Sequence, residues 1–175
     1  MKLSLVFAII KSFLLDFFSM ISFDINDRRF QLRAAAIIMR DDYILLHRLI
    51  NDDFWALPGG RVEAGEEAAS TIVRELNEEL ALPVRVGNLL WVAENFFPLN
   101  GKQFHEVGLY YLTTPEKDSI VLTSDGPYEG QEGNQKIVFT WFRRSEIVGM
   151  DVRPKFLVQS LAAETLQFGH FVNRD

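Results

Sequence analysis

The sequence predicts an α/β domain, and three observations carry that expectation. From Phe23 onward, stretches rich in β-branched and aromatic residues recur between turn signals, as strands do. One stretch, Ala68 to Leu80, lacks Gly and Pro and is rich in Ala, Leu, Glu and Arg, the composition of a helix. No internal repeat or linker-like segment divides the chain, and 175 residues with 48% hydrophobic content suffice for one sizeable core.

Taken in order, Arg29 to Met39, centred on Ala34-Ala35-Ala36-Ile37-Ile38, is a long strand candidate. Asp41-Asp42 is its turn and Tyr43 to Leu49 the returning strand. Trp55-Ala56-Leu57 leads into a Pro58-Gly59-Gly60 turn ahead of the helix, whose Ala69, Ile72, Val73, Leu76 and Leu80 are spaced for burial against a sheet. Val84 to Asn95 and Glu106 to Leu112 read as two further strands, joined by a connection containing the hairpin signal Asn100-Gly101. Thr123 to Gln135 is polar and glycine-rich, a candidate mobile loop. Val138 to Arg143 is another strand, and Pro154 to Phe168 is expected as a terminal amphipathic helix entered through a proline.

Residues 1–22 stand apart from a domain expected over 23–175. The segment is apolar, but Lys11 and Asp16 interrupt it, and the run Leu3 to Ile10 is too short to span a bilayer. It lacks the small-residue pattern of a cleaved signal. Polar residues such as Lys2, Lys11 and Asp16 gather opposite Leu3, Phe7 and Leu14 on a helical wheel. An amphipathic packing helix, a targeting or membrane-surface segment, and upstream sequence ahead of a start at Met20 are the three readings left open.

The net charge of −6 argues against broad nucleic-acid binding, which rests on neutralising phosphates. With no cysteine there is no disulfide, thiolate metal site or thiol nucleophile, compatible with a cytoplasmic protein.

The most informative stretch is GRVEAGEEAASTIVRELNEELAL, Gly60 to Leu82. On a helix Glu75 neighbours both Glu78 and Glu79, and like charges so spaced each cost roughly 0.2–0.5 kcal/mol. A hard divalent cation reverses that sign, and magnesium or manganese takes such oxygen ligands. A merely solvated acidic face is the bland alternative. The register weighs against it. Gly60, Glu66, Arg74, Glu75, Leu76, Glu78, Glu79 and Leu82 fall on the fixed positions of a motif this segment resembles, the Nudix box G-x5-E-x7-R-E-U-x-E-E-x-G-U, where U is bulky and aliphatic. Ala81 departs from it, standing where that family has glycine, which puts the usual left-handed helix cap in doubt.

The resemblance implies a Nudix-type α/β/α sandwich, a mixed sheet between helices, over about residues 29 to 168. It implies a magnesium- or manganese-dependent hydrolase that cleaves the pyrophosphate of a nucleoside diphosphate linked to another moiety. Candidate substrates are nucleoside triphosphates, ADP-ribose, nucleotide sugars and dinucleoside polyphosphates, with attack at phosphorus or, for some sugars, at carbon. Carried over by position, Glu75, Glu78 and Glu79 are the expected metal ligands, with the Gly60 carbonyl a further one, and Glu78 or Glu79 also serves catalysis. Glu66 and Arg74 are expected to brace the loop and helix.

An additional acid from a later loop is expected: Glu132 is the candidate base, with Glu129 and Glu106 behind it, each equally readable as a surface charge. Arg33, Arg48 and Phe54 lie where substrate contacts are common in this architecture. Asn95-Phe96-Phe97 and Trp91 are pocket or core aromatics, and His105 reads as structural. The expected partner is a small molecule, with a homodimer plausible for the family. The alternative is a catalytically silent nucleotide-binding regulatory module, against which the intact glutamates weigh. Prenyl diphosphate isomerisation, found on the same fold, looks to a cysteine that this chain lacks.

Overall fold

A thirteen-residue strand organises the protein. In the computed structural model, which describes residues 20–175, β2 (Arg28–Arg40) uses both of its edges along nearly its whole length. One edge pairs in parallel with β6 (Lys102–Pro115), from Arg28 opposite Gln103 to Ile38 opposite Thr113. The other serves three antiparallel partners in turn: β1 (Ser22–Ile25), β4 (Gly59–Arg61) and β3 (Tyr43–Leu49). With β5 (Val84–Leu99), β7 (Tyr128–Glu132), β8 (Gln135–Arg143) and β9 (Gly169–Arg174), the main sheet runs β7-β8-β3-β2-β6-β5-β9. Both β2–β6 and β5–β9 are parallel, so the sheet is mixed.

The alternation of side chains along β2 divides the core in two. Ala34, Ala36 and Ile38 join Ile72 and Leu76 of α1 (Ala68–Leu80) on one face. Ala35 and Ile37 join Leu157 and Leu161 of α3 (Phe156–Ala162) and Ile147 of a 3-10 turn (Ile147–Gly149) on the other. That is the α/β/α sandwich the sequence predicts. A four-residue helix, α2 (Ile120–Thr123), caps the first layer through Val121. Each fully buried aliphatic side chain contributes roughly 1.5–3 kcal/mol, so the two layers hold most of the stabilisation. The expected Pro58-Gly59-Gly60 turn is instead the start of β4, which pairs edge-on with β2, Gly59 opposite Ala35 and Gly60 opposite Ala34. A Cβ on Gly59 would stand 2.2 Å from the Ala34 carbonyl oxygen, and its φ of +142° suits glycine.

Several expectations need correction. The hairpin strands reach their Asn100-Gly101 turn without a loop, so Phe96, Phe97 and Phe104 are strand residues; stacking of Phe97 on Phe104 at 5.1 Å holds the extension. The expected loop Thr123 to Gln135 contains β7, because Gly133-Asn134 makes a two-residue hairpin turn into β8. The terminal helix stops at Ala162, where the Arg144 guanidinium takes the carbonyls of Leu161 and Ala163 and releases the chain. The chain then returns as β9, anchored by Phe171 against Phe156 and Trp91. Val73 is 42% exposed, since burial on α1 is narrower than its apolar spacing suggested and takes in Thr71 instead. Ala81 does form the left-handed cap, at φ 47° and ψ 40°.

The N-terminal readings fall on residues 1–19, outside the described residues. Beyond them Ile21 donates to the Val62 carbonyl, and β1 begins at Ser22. Among the described residues no helix is long and apolar enough to cross a membrane.

Candidate functional site

Strand β4 and helix α1 meet at a cluster of charges. Arg74 is its centre. Its Nε and Nη2 donate to the two Glu66 oxygens at 2.9 and 3.0 Å, a forked charge-assisted pair. Nη2 also reaches the Arg61 carbonyl at 3.3 Å. Glu66 in turn accepts from the Thr71 hydroxyl at 2.7 Å and from the Glu63 N–H at 3.1 Å. Arg74 first, with those two donors, holds the Glu66 carboxyl down to about 2. Glu66 and Arg74 thereby tie the Arg61–Glu63 backbone to the helix.

Arg74 also reaches the acids of its own helix: its Nη1 donates to Glu75 at 2.9 Å and to Glu78 at 3.3 Å. Glu75 is largely buried, and that burial raises its carboxyl pKa against the pull of Arg74. The Gly60 backbone lies close to it: a Cβ there would fall 2.1 Å from the Glu75 carboxylate, so only glycine admits this approach. The Glu78 side chain is 58% exposed.

Glu79 is different from both. It is only 5% exposed, and its Oε2 has no hydrogen-bond partner. Burial pushes its pKa up to about 7 despite the positive charge of Arg33, and Glu78 adds to the rise. Its neighbour is the Nδ1 atom of His47, 3.6 Å away and likewise unpartnered. Burial and then Arg33 hold His47 down to about 3, so the ring is neutral and this contact is neither an ion pair nor a hydrogen bond.

Among the described residues no three acidic or histidine side chains converge at metal-binding distance. Arg74 draws Glu75 and Glu78 to itself while Glu79 faces His47. The residues nevertheless fit a hard divalent cation. All candidate donors are oxygens, two carboxylates are desolvated, and one buried carboxylate oxygen has no hydrogen-bond donor.

On the α3 side of the sheet opens a cavity of about 460 Å³, a size suited to a small ligand; Gly59 and His47 line it, whereas Gly60, Glu75, Glu78 and Glu79 do not. Arg33, Arg48, Phe54 and Glu132 line it as well. Arg33 donates to the Gly59 carbonyl at 2.7 Å, at the start of β4. Arg48 lies over Trp55 at 4.9 Å and donates to the Asp52 carbonyl at 3.0 Å, while its buried Nε has no partner. Phe54 is covered by the Arg153 guanidinium at 4.7 Å. Glu132 ends β7 at the cavity mouth and is exposed. Glu129, on the same strand, is outside the cavity.

Glu106 is neither a surface charge nor close to the helix glutamates by any hydrogen bond. It is buried and accepts from Gln31 Nε2 at 2.6 Å and Asn95 Nδ2 at 3.0 Å. Trp91 belongs to the core, and His105 stacks on Phe96 at 4.5 Å. Gln31 and His47 escaped the sequence reading. The signal for Gln31 was available: Gln31 and Arg33 alternate in phase with core residues Ala35 and Ile37, which puts two polar groups on an inward face.

Comparisons with known proteins bear on the family and the fold. The curated relatives include human diphosphoinositol polyphosphate phosphohydrolase 3-beta, 34% identical over 91 residues, covering 50% of this chain and 53% of that protein. They also include an ADP-ribose pyrophosphatase of Methanocaldococcus jannaschii, 41% identical over 96 residues, covering 51% of this chain and 56% of that protein. The chain thus spans about half the length of the curated relatives it matches. A crystal structure of an ADP-ribose pyrophosphatase from Streptococcus suis shares the fold, with TM-score 0.55 and 17% identity over 82% of this chain and 98% of that one. The NUDIX domain family matches residues 29–159, well over half of the sequence and including every box residue, and the chain belongs to that family.

Proposed function

We propose that this protein is a divalent-metal-dependent hydrolase that cleaves the pyrophosphate of a nucleoside diphosphate joined to another moiety. The observation that carries the reading is the buried, unpartnered Oε2 of Glu79, one helical turn from the desolvated Glu75 and 3.6 Å from His47, which lines the cavity. A desolvated carboxylate oxygen with no hydrogen-bond donor is costly, and a cation bound to it offsets that cost. Glu75, Glu78 and Glu79, with the Gly60 carbonyl, would hold magnesium or manganese, which supplies charge neutralisation on phosphate oxygens and a more acidic water.

The remaining work falls to the chain itself. Arg74 and Glu66 tie the Arg61–Glu63 backbone to the helix, so Gly60 and Glu75 keep their close approach. Arg33 and Arg48 give the cavity positive charge for the diphosphate. Water adds to phosphorus, the bond from phosphorus to the bridging oxygen breaks, and the water proton passes to a carboxylate. Glu132, exposed at the cavity mouth, is the candidate acceptor.

The test is a product panel with magnesium or manganese over triphosphates, ADP-ribose, nucleotide sugars and dinucleoside polyphosphates, resolved by chromatography. Cleavage of one class that EDTA abolishes is the expected result. No cleavage by folded, metal-bound protein would refute the hydrolase in favour of a nucleotide-binding module.

A further inference from the structure

Three neighbouring strands place three polar side chains in one row under the cavity. Gln31 of β2 lies directly opposite Glu106 of β6, and Glu106 directly opposite Asn95 of β5. All three line the cavity, and Asn95 is fully buried. Each Glu106 oxygen takes one amide N–H, from Gln31 and from Asn95. A carboxylate only accepts, so neither amide can be flipped without aiming its oxygen at another oxygen.

This fixes what the row offers a ligand. The Asn95 amide nitrogen is spent on Glu106 and on the Tyr110 hydroxyl at 3.4 Å, and its Oδ1 is buried without a partner. Glu106 keeps spare lone pairs, and the Gln31 amide adds an oxygen and one remaining N–H. The floor is therefore dominated by acceptors. Next to it, the Tyr110 ring lies over Gly108, where a Cβ would meet it at 2.8 Å, and its hydroxyl closes the Asn95 end of the row. Phe54 and Phe97 give the same cavity flat apolar surfaces, while Arg33 stands on the side of β4 and the box.

We infer that the Gln31–Glu106–Asn95 row selects a nucleobase bearing an exocyclic amine, as in adenine, guanine or cytosine, and disfavours uracil. The inference rests on the nucleotide reading above and narrows its substrate class. An amine brings N–H donors to Asn95 Oδ1 and Glu106. Uracil brings a single N3–H donor flanked by two carbonyls, so it can pair with one of those acceptors and sets a carbonyl against the other. A ligand without a base, such as an inositol polyphosphate, would set phosphates against Glu106.

The test separates base recognition from hydrolysis. Calorimetric titration of the full chain with ADP, GDP, CDP and UDP in EDTA reads binding alone, and the product panel reads cleavage. The expected result is at least about tenfold tighter binding of one or more amine-bearing nucleotides than of UDP. UDP binding as tightly as the best of the others, or no nucleotide binding at all, would overturn the inference. The row would then be a structural stitch across the sheet, continued by Asn173 opposite Asn95 on β9. Cleavage without base preference would leave the hydrolase standing and remove the selector. In Glu106→Gln, which adds donors at nearly constant shape, the preference over UDP should fall about tenfold or more, and an unchanged ratio in folded variant would also count against the row.

Discussion

Replacing Ala81 by glycine should stabilise the protein, and the size of the gain follows from the end of α1. Ala81 sits at φ 47° and ψ 40°, donates to the Asn77 carbonyl at 2.9 Å, and is followed by Leu82 donating to Leu76 at 3.0 Å. The bond from Ala81 to the carbonyl four residues earlier is the 5→1 bond of a left-handed helix cap. Leu82 and Leu76 also share the first core layer, so the chain is held in the left-handed conformation although alanine resists it. The left-handed region costs an L-residue roughly 1–2 kcal/mol. Glycine avoids that cost but adds about 0.5–1 kcal/mol of unfolded-chain entropy. The Ala81 methyl is exposed, so its removal loses no packing. The net expectation is a gain of about 0.5–1 kcal/mol. For a chain of this size that raises Tm by roughly 1–4 °C. Urea and thermal unfolding of Ala81→Gly and Ala81→Val read it, the valine being worse than wild type because β-branched residues tolerate positive φ poorly. A glycine variant less stable than wild type would refute the cap geometry.

Two further changes test the bracing of the site. Gly60→Ala should lower turnover on the order of a hundredfold with a modest change in Tm, because its Cβ would displace the Glu75 carboxylate it meets at 2.1 Å; steady-state kinetics with a divalent titration measure it, and wild-type kinetics would contradict the close approach. Glu66→Gln should lose roughly 1–3 kcal/mol at neutral pH, as a charge-assisted pair is broken. The Glu66 carboxyl is held down to about 2 from an ordinary 4.5, so the wild-type advantage is full above the ordinary value and disappears as pH falls toward 2. Urea midpoints at pH 7 and pH 2.5 should show the gap closing, and an equal gap at both would contradict the assignment.

What could be read in the sequence was what local pattern determines. The helix Ala68 to Leu80 carries its own propensity and spacing, and the structure begins and ends it on those residues. The strands β2 and β3 were equally clear, being long, apolar and separated by Asp41-Asp42. Features that depend on distant partners were not. β9 is short and mixed in polarity, and is a strand because Trp91 and Phe156 receive Phe171. The early end of α3 depends on Arg144, far from it in the chain. Within the site, the residue types and their helix were legible, whereas the facing of Glu79 and His47 was not, because it depends on how α1 docks against β3. The Gln31–Glu106–Asn95 row needed the register of three strands, which no local pattern supplies.

The central claim is that a cation held by the box carboxylates drives cleavage in this site. Turnover of Glu79→Gln, on whichever substrate the wild type cleaves and across a magnesium and manganese titration, tests it most directly. The substitution removes a buried charge at nearly constant shape, so Tm should hold or rise while turnover falls about a hundredfold or more at every metal concentration. Wild-type turnover and wild-type metal dependence in the folded variant would contradict the account.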